Sequence, residues 1–116
     1  MNTRYIGHQG EEQAVEYLLS RGYAIWCRNW AYSWGEIDII AQSPRKELVF
    51  VEVKKYRSTH RGTGEDKITT AKLQNIQRLG ECYISDRPQA QNCPARIDVI
   101  TITETAIRHY KNCFPL

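Results

Sequence analysis

Two runs of β-branched and aromatic residues, "GEIDII" at 35–40 and "FVEVKK" at 50–55, constrain this chain more than any other feature. Their composition is that of strands packed against a core. Ser43, Pro44, Arg45 and Lys46 between them have turn chemistry, so residues 35–54 read as one β-hairpin. Yet each run carries charge in its middle: Glu36 and Asp38 in the first, Glu52 and Lys54 in the second. Strand side chains alternate between two faces. The expectation is one apolar face, made by Ile37, Ile39, Ala41, Val49, Val51 and Val53. The other face then collects Glu36, Asp38, Glu52 and Lys54.

With the turn centred near Arg45, Asp38 is expected opposite Glu52, and Glu36 opposite Lys54. Carboxylates opposed across two strands lie roughly 5 Å apart at Cβ. At an effective dielectric near 20 they repel by about 3 kcal/mol, against a net stability of roughly 5–15 kcal/mol for a small domain. Lys54 offsets part of this and a raised carboxyl pKa another part; a divalent cation does it best. Magnesium fits such a place, because it takes hard oxygen ligands, often one or two carboxylates plus waters. The competing reading is an ordinary solvent-facing strand surface with Glu–Lys pairs across it.

A helix expected from about Gln9 to Arg21 adds a third acid. Ala14, Val15, Leu18 and Leu19 form its apolar stripe, and Glu11 falls near the middle of it. A glutamate there is either a dipole-favoured residue at a helix start or a further acid aimed at the same ion. Gly22 is placed to close the helix as a left-handed cap.

The remaining pattern is a strand at about 23–29, a loop at 56–66, and a second helix at 67–85 with Ile68, Lys72, Ile76, Leu79 and Tyr83 at helical spacing. A strand at 96–103 follows, and "AIRHYKNCF" reads as a short edge strand. This order favours an α/β or α+β architecture around a mixed sheet. At 116 residues, 41% hydrophobic and 25% charged, the chain is expected to form a single domain over 1–116 and is not a disordered segment. No apolar run approaches a membrane span, and no apolar region follows the N-terminal arginine, so a cytoplasmic protein is expected. The four cysteines form no CxxC pair and read as reduced, partly buried thiols. Net charge is only +3, but "KKYRSTHR" at 54–61 holds four cations and no acid, a segment of the kind that phosphates attract.

An acid, then a strand bearing E-x-K, with a glutamate on a preceding helix, resembles the PD-(D/E)XK nuclease superfamily with its restriction-endonuclease-like fold. More closely the chain resembles the YraN-like family, related in fold to Holliday-junction resolvases. The resemblance runs through "GHQGEEQAVEYLLSRGY", "NWAYSWGEIDIIA", "LVFVEVKKYR", "RIDVITI" and "IRHYKNCF". It implies an α/β fold with a central mixed sheet flanked by helices. It also implies a metal-dependent nuclease using Mg2+ or Mn2+ on nucleic acid, with DNA, branched or structured, the expected substrate.

By resemblance, Asp38, Glu52 and Glu11 are metal ligands, completed by the backbone carbonyl of Val53, and Lys54 positions or activates the attacking water. Catalysis would rest on Asp38, Glu52, Lys54 and Glu11. Nucleic acid would be held by Lys55, Arg57, Arg61 and Lys72, and the related resolvases imply a homodimer. Ile37 stands where the motif's proline is usual, and Tyr56 where many relatives have an arginine, so the phosphate contact there is shifted to Arg57 or lost. The alternative is a nucleic-acid-binding or protein-interaction module on the same fold that does not cut.

Overall fold

A computed structural model describes residues 3–56 and 68–116, with residues 3–9 as backbone only. Its elements in chain order are α1 (Thr3–Ser20), β1 (Ala24–Tyr32), β2 (Gly35–Gln42), β3 (Leu48–Lys55), α2 (Thr70–Ser85), β4 (Ala95–Ile102) and β5 (Ile107–Phe114). A short 3-10 turn, Pro88–Ala90, precedes β4. The five strands form one sheet in the order β1-β2-β3-β4-β5. Only the β3–β4 pair is parallel, with α2 in the crossover between them; the other pairs are antiparallel. This mixed sheet between helices is the expected α/β architecture and is consistent with a restriction-endonuclease-like fold.

β3 shows why the fold has three layers. Its buried residues alternate, Leu48 and Phe50 packing with Ile76, Leu79 and Tyr83 of α2. Val49 and Val51 pack instead with Ala14 and Leu18 of α1. A strand buried on both faces must be apolar throughout its length, which is why "LVFV" shows no polar alternation. Leu19, expected on the apolar stripe of α1, is 54% exposed and belongs to the outer side of the helix. Gly22 ends α1 with φ +86, the left-handed conformation expected of it.

The hairpin between β2 and β3 closes as read. Ser43 N–H bonds Glu47 C=O at 2.8 Å and Lys46 N–H bonds Ser43 C=O at 2.9 Å. Lys46 takes the left-handed conformation (φ 68) that completes a three-residue hairpin loop. The register then follows: Gln42 opposes Leu48, Ala41 Val49, Ile40 Phe50 and Ile39 Val51.

Ile37 departs from the expected alternation. It packs with Ile40 and Phe50 on the α2 side, whereas Ile39 packs on the α1 side. The described β2–β3 ladder ends at Ile39 and Val51, while pairing of β2 with β1 continues to Gly35. Released from β3, β2 changes phase within two residues, and Glu36 and Asp38 turn toward α1.

Candidate metal centre

Asp38 sits where β2 leaves β3. Its Oδ2 accepts the Val53 amide at 2.8 Å, a donor that a continued ladder would have paired with main chain. The side chain thus replaces a backbone acceptor and is fixed by the strand it faces. Asp38 is half-buried, and Glu52, next to it on β3, is only 4% exposed. Burial first, and the Glu52 charge second, push the Asp38 carboxyl from 3.8 up to about 8. The Glu52 carboxylate is near enough to act on Asp38, but the described register ends at Ile39 and Val51, so the two are not the ladder pair expected.

Glu11 reaches the same place from α1. Gly10, one residue earlier, lets the helix approach: a Cβ there would stand 3.2 Å from Lys55 Cβ. Oxygens of Glu11, Glu36 and Asp38 all lie within 4.8 Å of one another. The phase change in β2 produces this grouping, because an uninterrupted pleat would have left Asp38 on the α2 side.

Two polar side chains hold the acids. Asn29 on β1 donates its amide to both oxygens of Glu11, at 3.1 and 3.0 Å, and to Glu36 at 3.0 Å. It does so from a left-handed backbone conformation (φ 52), which asparagine tolerates better than most residues. Glu36, expected opposite Lys54, is therefore held by Asn29 instead, for the ladder does not extend that far. Lys72 of α2 pairs with Glu52 at 2.9 Å. Burial lowers the Lys72 pKa, but the hydrogen bond and charge of Glu52 outweigh it and hold it above its ordinary value.

Sequence reasoning assigned Lys72 to the nucleic acid, whereas the structure places it on a carboxylate of the site. A signal existed: Lys72 lies four residues before buried Ile76, on the stripe of α2 that faces the sheet. Asn29 had no such signal. Lys54 follows Glu52 by two residues, which strand alternation puts on the same side. Lys55 bonds Gln13 of α1 at 3.1 Å. Arg57 and Arg61 lie outside the described residues.

The donor set suits a hard divalent cation. Ligands at about 2.1 Å from magnesium stand about 3.0 Å apart when cis and about 4.2 Å when trans. The Glu11, Glu36 and Asp38 oxygens, within 4.8 Å of one another, would therefore draw in around an ion, and Glu52 lies outside that grouping. All the side-chain donors are carboxylate oxygens, with no sulfur or imidazole among them. Such a set is of the kind that hard divalent cations take.

The model of "Uncharacterised protein family UPF0102" matches residues 10–102. The chain belongs to the UPF0102 family. It is 43% identical over 102 residues to a UPF0102 protein of Caldicellulosiruptor saccharolyticus, covering 88% of this chain and 85% of that one. It is 37% identical to a UPF0102 protein of Phocaeicola vulgatus, covering 94% and 91% of the two chains. A UPF0102 protein of Persephonella marina is 39% identical, with 95% and 93% covered. The matched span of the UPF0102 model opens just before Glu11 and closes at the end of β4, so it takes in every carboxylate of the centre. Among the described residues, no helix is long and apolar enough to cross a membrane.

Proposed function

We propose that this UPF0102 protein is a metal-dependent nuclease that hydrolyses phosphodiester bonds in nucleic acid, with structured or branched DNA as its substrate. One observation carries the reading: carboxylates from α1, β2 and β3 converge around Asp38, with Glu52 buried beside it and Lys54 two residues further on. Nothing in the fold requires this grouping, and it raises the Asp38 pKa instead of stabilising the domain.

Asp38, Glu52 and Glu11 would hold Mg2+ or Mn2+. Val53 would add its carbonyl, since N–H and C=O of one strand residue point to the same neighbour and its N–H already faces Asp38. A cation bound there supplies a Lewis acid for the phosphoryl oxygens and lowers the pKa of a bound water. Asp38 fixes the position through its Val53 bond, and Asn29 keeps Glu11 and Glu36 from splaying apart. Lys54 brings a positive charge to the attacking oxygen and the phosphate. Lys55 and the basic segment after it would grip the backbone without reading sequence. Tyr32 and Trp34, 40% and 47% exposed at the β1–β2 turn, offer faces on which unpaired bases stack. Trp30 instead packs edge-on against Tyr83 at 5.3 Å and serves the core.

The Lys72–Glu52 pair favours a second reading. An ammonium already neutralises one acid, as a resident cation would in a module that binds nucleic acid without cutting it. The test is incubation of branched, flapped and single-stranded DNA with Mg2+ or Mn2+ and wild type, Asp38→Asn or Lys54→Ala protein. Cleavage by wild type alone supports the nuclease. Equal binding by all three with no cleavage supports the module and overturns the nuclease.

A further inference from the structure

At the C-terminal end of α1, away from mid-helix Glu11, lies a second feature that the nuclease reading does not use. The last turns of α1, the 43–47 hairpin loop, β4 and β5 enclose an open cavity of about 290 Å³. Its floor is a saturated polar network around Asp98, which is fully buried. Asp98 accepts from Arg96 Nε at 3.0 Å and from the Asn112 amide at 2.9 Å. These bonds, together with that from His109, outweigh the cost of burial and hold the Asp98 pKa below its usual value, so it is an ionised acceptor. The His109 Nε2 therefore donates to it, at 2.7 Å. Glu47, the acid on the cavity wall, is taken up in the same way by Arg96 and by Ser43 Oγ.

Three cations also line the wall, and of these Arg45 feels the Glu47 charge. Arg21, Arg45 and Lys111 line the cavity and make no ion pair with another described residue. Arg21 is set over the ring of Tyr17 at 5.0 Å, which aims its guanidinium without neutralising it. Three cations around a concave wall, whose acids are already bonded, concentrate positive potential in the space between them. Small-ligand pockets run from roughly 300 Å³ upward, so this one has room for a phosphate and a small attached group.

We propose that this cavity is a phosphate-binding pocket in which Arg21, Arg45 and Lys111 receive the anion. The phosphate comes either from a small phosphorylated molecule or from a nucleic-acid backbone. Arg21 follows Glu11 by ten positions, just past the end of α1, about 15 Å of helical rise. At 3.4 Å per phosphate along a strand, that rise corresponds to roughly four phosphates. This backbone source rests on the function proposed above, whereas the small-molecule source does not.

The test uses wild type and an Arg45→Ala/Lys111→Ala double variant, both positions being exposed so that the fold is kept. Titration with inorganic phosphate, pyrophosphate and adenosine monophosphate, in EDTA and at low salt, reads the first source. Binding of a short DNA duplex in EDTA between 50 and 200 mM salt reads the second. The expected result is saturable phosphate binding by wild type that the double variant loses, or a roughly tenfold loss of duplex affinity with the salt slope reduced by about 2. Phosphate binding alone assigns the small-molecule source, and a duplex effect alone assigns the backbone. Unchanged behaviour of the double variant in both titrations overturns the pocket. Absence of cleavage with phosphate binding intact removes the nuclease and leaves the pocket standing.

Discussion

Asp38 carries an opposing demand: its position is fixed by a bond to the Val53 amide, while its charge is disfavoured by burial and by Glu52. The unfolded chain releases this proton near 3.8 and the folded chain near 8, so between those values the folded state holds more protons. Stability of the metal-free protein is therefore expected to fall as pH rises through that window. The lowered Asp98 works the other way: its stabilisation is present above the ordinary carboxyl value and is lost only below it, so it leaves this window unaffected. Urea unfolding in EDTA should show Asp38→Asn more stable than wild type at pH 8, with the margin vanishing toward pH 4; equal slopes for the two would contradict this. Asn29 is a second residue-scale test. Asn29→Gly keeps the left-handed backbone and removes only the amide that bonds Glu11 and Glu36, with an expected loss of about 1 kcal/mol in urea unfolding without metal. At this scale Asp38, Glu52 and Glu11 were legible because charge inside an apolar run needs a partner. Asn29 was not, since a polar residue on an exposed strand edge has many unremarkable explanations.

At the scale of elements, the site depends on where β2 parts from β3 and on how α2 is anchored. The hairpin register could be read from its turn, because a three-residue loop with Lys46 left-handed leaves one pairing. The phase change between Ile37 and Ile39 could not, because it is set by the end of the β3 ladder and by continued pairing with β1, both tertiary facts. Strand alternation alone would have placed Asp38 beneath α2 and away from Glu11. The last strand was legible in "AIRHYKNCF", which brackets Ile107–Phe114, although it is mostly exposed and its place comes from pairing with β4. α2 begins at a Thr69 cap whose Oγ1 accepts the Lys72 amide at 3.2 Å. Thr69→Ala should cost about 1 kcal/mol in urea unfolding and loosen the turn that carries Lys72. Unchanged stability would show that packing of Ile76, Leu79 and Tyr83 alone holds the helix start.

Across the whole molecule, charge is polarised along α1. Glu11, Glu36, Asp38 and Glu52 gather beside the middle of α1, with Lys72 paired to Glu52, while Arg21, Arg45 and Lys111 line the cavity near its C-terminal end. Lys72 neutralises only Glu52, so the other carboxylates repel phosphate unless a divalent cation sits among them, and the nuclease account requires that cation before it requires anything else. This polarity could not be seen in a mild net charge of +3, which averages both regions. The decisive measurement is anomalous diffraction from a crystal of the protein soaked in Mn2+. The account predicts one peak at roughly 2.1 Å from oxygens of both Asp38 and Glu52, with Lys72 withdrawn from Glu52. A fully soaked crystal with no peak there, and Lys72 still bonded to Glu52, would contradict it.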